Sequence, residues 1–184
     1  VNYYGAVYNI QGSVDWTGGS IADNAGWGAG SIYGSLSVDG AAVSNNHCAG
    51  VLGFEGTLSV TNSTLSGHVG TDAVNSNSDT LVVLDGNTFE GNRSDDEYVV
   101  VSDYMDLYGY RSTYTYAAGY PRMNDVRLFG VSESLVTNNT FTNGDHGILL
   151  YGGASTVSGN TWSGYRSTVL SAASYDEGAD VEMS

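Results

Sequence analysis

Lysine is absent from the 184 residues, arginine occurs five times, and twenty acidic residues leave a formal charge of −15. A chain so poor in cations repels phosphates, which excludes electrostatic nucleic-acid binding as its function. The single cysteine, Cys48, excludes an internal disulfide, and with three histidines leaves little for a zinc site. Glycine, 26 residues of it, breaks up every apolar run well short of 18 residues, so no helix of this sequence crosses a bilayer. Charged residues are only 14% of the chain, while 14 tyrosines and many Val, Leu and Ile call for burial, a composition neither helical nor disordered. The length fits one domain, residues 1–184, with a usable core. The chain starts at Val1 with no signal peptide, as expected of a mature form or an excised fragment.

An internal repeat is the dominant feature. Six bulky anchors, Ile21, Val43, Leu65, Phe89, Phe141 and Trp162, are spaced by 22, 22, 24, 52 and 21 residues. Five positions before each stands an apolar residue: Trp16, Val38, Val60, Leu84, Val136 or Val157. Two positions earlier come Val14, Leu36, Leu58 and Val82, then Ser134 and Ser155. Alternation with period two marks a strand with one buried face. Three positions before each anchor the residue is always Gly or Asn: Gly18, Gly40, Asn62, Gly86, Asn138 and Gly159. These two residues enter the left-handed backbone region at least cost, so a corner is expected there. A further apolar strand precedes each unit, at Val7 and Tyr8, Ile32 and Tyr33, Val51 and Leu52, Val74, Val126 and Leu128, and Ile148 and Leu150. Three short strands per turn, stacked one strand spacing apart, predict an all-β fold: a right-handed parallel β-helix of about seven rungs.

The stretch Leu58-Ser59-Val60-Thr61-Asn62-Ser63-Thr64-Leu65-Ser66-Gly67 resembles the repeat of polymorphic outer-membrane proteins and related secreted β-helix proteins. Asn87-Thr88-Phe89-Glu90-Gly91-Asn92 resembles that family's Phe-x-x-Asn element, and Gly5-Ala6-Val7-Tyr8-Asn9 its Gly-Gly-Ala-Ile element, with Tyr4 in place of the first Gly. Residues 136–141 and 157–162 are similar to looser repeats of the wider β-helix superfamily. The resemblance implies an extracellular or cell-surface location and adhesion, and carries over no catalytic residue. The pattern departs from the family at Gly144 and Tyr165, which stand where Phe141 and Trp162 would be followed by asparagine.

Between Phe89 and Phe141 the repeat is interrupted. Tyr98-Val99-Val100-Val101 reads as a strand, and residues 102–125 as a loop insertion carrying Tyr104, Tyr108, Tyr110, Tyr114, Tyr116 and Tyr120. A long insertion on a rigid scaffold is a usual place for function, and flat amphipathic tyrosines suit a glycan or protein partner. The competing reading is that they cover a flank of the helix structurally.

Acidic residues supply the other candidates. Asp72, Asp95, Asp96 and Asp145 fall near rung corners close to His146 and are candidate Ca²⁺ ligands, since calcium takes several carboxylate oxygens. The same edge, Asp72, Asp95 and Asp145, gives the enzymatic alternative, a polysaccharide lyase or glycoside hydrolase using facing carboxylates. Gly144-Asp145-His146-Gly147 resembles an element of pectin-degrading hydrolases, without that family's paired aspartates or basic dipeptide. His68 occupies an asparagine corner position and reads as a turn residue; His47 beside Cys48 reads as surface and packing. The sequons at Asn62, Asn92 and Asn138 follow from the corner chemistry. The function expected is non-enzymatic: an adhesin, or a structural subunit of a surface layer or filament, with end-to-end stacking of copies through uncapped strand edges.

Overall fold

A computed structural model describes residues 5–47, 49–69, 72–93 and 123–173, and the backbone of 99–105, 111–116 and 180–183. The first two rungs are β1 (Gly5–Ile10), β2 (Ser13–Thr17) and β3 (Ser20–Ala22), then β4 (Trp27–Ile32), β5 (Ser35–Asp39) and β6 (Ala42–Ser44). The next two are β7 (Val51–Phe54), β8 (Thr57–Thr61) and β9 (Thr64–Ser66), then β10 (Val74–Asn77), β11 (Leu81–Asp85) and β12 (Thr88–Glu90). An excursion holds β13 (Val99–Met105) and β14 (Arg111–Tyr116). Rungs five and six are β15 (Asn124–Phe129), β16 (Glu133–Thr137) and β17 (Thr140–Thr142), then β18 (His146–Tyr151), β19 (Ala154–Ser158) and β20 (Thr161–Ser163). β21 (Leu170–Ala173) and β22 (Asp180–Met183) begin a seventh.

Corresponding strands pair in parallel, so the rungs build three sheets of seven, seven and six strands. This is the expected parallel β-solenoid. The register stacks like on like: Trp16, Val38, Val60, Leu84, Val136 and Val157 form one inward column, and the six anchors another. From Ile21 to Phe141 the anchors are buried, and the last three stack their rings, Phe89 on Phe141 at 4.7 Å and Phe141 on Trp162 at 5.6 Å. Each such side chain contributes about 1.5–3 kcal/mol by leaving water, and no rung collects enough of them alone. In the third inward column Val7 stacks on Ala29, not on Ile32. Ile32 stands in the outer column with Ile10 and Phe54. The strand begins earlier, at Trp27, where Gly28 and Gly30 hide it from a hydrophobicity reading.

All six residues expected to turn the corner do so, with φ between +50° and +66°. Two further corner columns use the same backbone region. One lies two residues after each anchor: Asp23, Asn45, Gly67, Gly91, Asn143 and Gly164. The other follows the first strand of each rung, at Gln11, Tyr33, Glu55, Ser78, Gly130 and Gly152. Gln, Tyr and Glu are costly there, by roughly 1–2 kcal/mol each. The cost is offset because the ladder is never broken: Gln11 donates its backbone N–H to Ile32 at 3.0 Å, Tyr33 to Phe54 at 2.9 Å and Glu55 to Asn77 at 3.0 Å. The glycine appears one residue later instead. A Cβ at Gly56 would lie 1.9 Å from the Gly34 carbonyl oxygen, so stacked rungs exclude any side chain.

The excursion differs from the expected insertion in its start. β13 pairs antiparallel with β14, so Val99–Val101 belong to a separate two-stranded sheet and not to a rung. The rung resumes with Met123 buried and β15 paired to β10.

Candidate functional site

Two of the corners are lined inside by a polar ladder. Before each anchor, the side chain of one rung accepts the backbone N–H of the rung before it. Ser63 accepts from Ala41 at 3.1 Å, Asn87 from Ser63 at 2.9 Å, Asn139 from Asn87 at 2.9 Å and Asn160 from Asn139 at 2.8 Å. The amide donors return to strand carbonyls, Asn139 to Leu84 at 2.9 Å. Every partner in this ladder is neutral.

After each anchor a second ladder starts in the same way. Asn46 accepts from Asn24 at 3.2 Å, His68 Nδ1 accepts from Asn46 at 3.2 Å, and Asn92 accepts from His68 at 3.1 Å. His68 therefore does the work of an asparagine, as its position implies. Its ring is fully buried, and burial pushes its pKa down to about 4, against backbone hydrogen bonding at Asn46 and Val43. Facing these side chains are residues with no room for more: a Cβ at Gly28 would meet Asn46 at 2.8 Å, and one at Gly50 would meet His68 at 2.6 Å.

In rung five the two sides exchange roles. The ladder position is Gly144, and the facing position carries Asp125. A Cβ at Gly144 would lie 2.8 Å from Asp125 Oδ2 and 2.7 Å from the Tyr165 ring. Asp125 is fully buried; Asn92 Nδ2 donates to its Oδ1 at 2.7 Å, and the Tyr165 hydroxyl donates to its Oδ2. Burial pushes its pKa up to about 7, opposed by the hydrogen bonds from Tyr165 and Asn92 and reinforced by the nearby charges of Asp72 and Asp145. Burial and Asp125 likewise raise the Tyr165 hydroxyl.

Asp72 and Asp145 thus come to one corner, but inside it. Asp72 Oδ1 accepts from the Asn124 backbone at 3.1 Å and from Asn124 Nδ2 at 2.9 Å, and its Oδ2 accepts from Asn75 at 3.2 Å. Burial raises its pKa, against the Asn124 side chain and Arg127. Asp145 pairs with Arg166 at 3.4 Å. Asp95 and Asp96 lie outside the described residues. Among the described residues no three acids, histidines or cysteines are grouped to hold a metal. Tyr104, Tyr114 and Tyr116 stand on β13 and β14, whose backbone alone is described; Tyr108, Tyr110 and Tyr120 lie outside the described residues. Of the sequons, Asn92 is buried, whereas Asn62 and Asn138 stand at exposed corners donating to Asp39 and Asp85 at 2.9 Å.

Outward columns of the first two sheets differ in character. On the first sheet, Tyr8, Gly30, Leu52, Asn75, Arg127 and Leu149 align beside Ile10, Ile32, Phe54, Asn77, Phe129 and Tyr151. Their rings meet in pairs: Tyr8 with Trp27 at 5.9 Å, Tyr33 edge-on to Phe54 at 5.9 Å, and Phe129 stacked on Tyr151 at 4.9 Å with Arg127 above it. Ile10 is 58% and Tyr33 44% exposed. The second sheet presents Thr17, Asp39, Thr61, Asp85, Thr137 and Ser158, where Asp39 and Asp85 each accept from the next rung's threonine, at 2.7 and 2.6 Å. Those bonds hold both carboxyls below the usual carboxylate range. The aromatic flank escaped a sequence reading centred on the insertion, although Tyr8, Leu52, Phe129 and Tyr151 alternate with the inward residues and could have been found by that period.

No family model, curated protein or solved structure matches the chain.

Proposed function

We propose that this chain is a non-enzymatic β-solenoid of an extracellular or cell surface, an adhesin that holds a neutral glycan along the outer face of its first sheet. The observation carrying this reading is the run of aromatic and aliphatic side chains there, set against the column of threonines and aspartates on the second sheet. Aromatic faces suit the apolar faces of sugar rings, with polar tips for the hydroxyls. The charge of −15 disfavours anionic polymers and leaves neutral ones. The resemblance of its repeat to polymorphic outer-membrane proteins supports the same location. Co-sedimentation with insoluble neutral polysaccharides tests it: binding weakened several-fold by Tyr33→Ala or Phe129→Ala is expected. Equal recovery of both variants and the parent, or none on any polysaccharide, overturns it.

A second reading, a structural subunit of a surface layer or filament, is favoured by the strand edges. Among the described residues β1, β2 and β3 are the terminal strands of their sheets, and a terminal strand is a place where another chain can add. Electron microscopy at high concentration with added salt, which screens the repulsion between copies, separates this reading from the first.

A further inference from the structure

Going beyond that reading, we propose that the Asn92–Asp125–Tyr165 corner is a pH-sensitive latch. It holds the last rungs on the solenoid when Asp125 is protonated and loosens them, from Gly144 onward, when Asp125 ionises.

The argument starts from the exchange of roles in rung five. Elsewhere this ladder is filled by Asn46, His68 and Asn92 and faced by Gly28, Gly50 and Ala73; here a carboxyl fills the slot and Gly144 leaves it the space. An amide supplies donors and an acceptor without charge. A buried carboxyl is without charge only as the acid, and its ionised form must be desolvated. Asp125 has two neutral donors, Asn92 and Tyr165, and among the described residues no cation is bonded to it. The charges bearing on it are Asp72, ahead of β10, and Asp145, ahead of β18. Arg166 is paired with Asp145, and Arg127 acts on Asp72 from the outer face. His68, two places along the same ladder, is neutral above about pH 4. Ionised Asp125 therefore sits at a junction that already holds two acids. Its own bonds reach Asn92 at the end of rung four and Tyr165 at the end of rung six, so a change there falls on the seam between them.

The direction follows from linkage. A carboxyl held at about 7 binds its proton more tightly folded than unfolded. Its contribution is complete below the ordinary carboxylate value and is lost as pH rises towards 7. Stability attributable to this site should thus fall from about pH 4 to about pH 7 and level off above it.

The test compares the parent with Asp125→Asn, which installs the residue the ladder uses elsewhere, by thermal melts and backbone amide exchange at pH 5, 6, 7 and 8. Relative to Asp125→Asn, which shares its His68 and Asp72, the parent should lose several degrees from pH 5 to pH 8. Its amides in residues 144–173 should exchange at least tenfold faster at pH 8 than base catalysis explains. Asp125→Asn should lack both losses and keep only the pH dependence that His68 and Asp72 give either chain. A second variant, Tyr165→Phe, removes a hydrogen bond that favours the ionised form and should move the midpoint to higher pH. An Asp125→Asn chain keeping the parent's pH slope overturns the latch, as does a Tyr165→Phe midpoint that is unchanged or lower.

Discussion

Two corners of this solenoid solve one problem in different ways. Ahead of the anchors, Asn87, Asn139 and Asn160 satisfy buried backbone with neutral amides, rung upon rung. Behind them, the ladder passes through an imidazole at His68 and ends on a carboxyl at Asp125. The shape is maintained in both, but only the second corner titrates. A repeat architecture can therefore place a proton-binding site in its interior by exchanging a single pair of positions, here Gly144 with Asp125, without altering the backbone path.

The comparison is broken most severely by Asn139→Ala. The side chain accepts from the Asn87 backbone and amide and donates to Leu84 and Asn160, so its loss strands several buried groups. A loss of about 3–5 kcal/mol is expected, seen as a fall in Tm of roughly 10 °C. The same truncation at Asp125, measured at pH 8, should cost far less, because it also removes a buried charge. Equal losses would erase the distinction between the corners.

His68→Asn sharpens the contrast in the opposite pH range. A base whose folded value lies near 4 binds fewer protons folded than unfolded, so stability is intact above 6.5 and falls as pH drops towards 4. The substitution should recover about 2 kcal/mol at pH 5 and little at pH 8, read from urea midpoints at both values. A smaller effect concerns the third corner column. Glu55 holds φ +52°, and Glu55→Gly should gain about 0.5 kcal/mol once the added freedom of the unfolded chain is subtracted. Smallest of all, Tyr33→Ala should change stability by no more than about 0.5 kcal/mol, so any loss of glycan retention in that variant reports binding alone.

The fold was legible because two signals agreed. Inward residues repeat every two positions within a strand, and Gly or Asn marks the corner three residues before each anchor, from Gly18 to Gly159. The third corner column carried no such mark: Gln11, Tyr33 and Glu55 adopt the same backbone, and the glycines that betray them sit one residue later for reasons of rung-to-rung clearance. Likewise β4 was misplaced because Gly28 and Gly30 pack without side chains. The acid corner was legible only in outline. Asp72 and Asp145 were placed near one edge, but Asp125 was overlooked, because its meaning depends on Gly144 standing opposite, and that pairing spans 19 residues of sequence.

The excursion between Arg93 and Met123 leaves and re-enters the solenoid at neighbouring points, for Asn92 bonds directly to Asp125. Because the rungs on either side keep their register across it, β10 on β15 and β12 on β17, whatever is carried between those points exerts no lever on the stack. Lengthening such a closed loop costs only a slowly growing entropy. The solenoid thus offers a mounting on which new surface can be tried out while the frame that bears it stays unchanged.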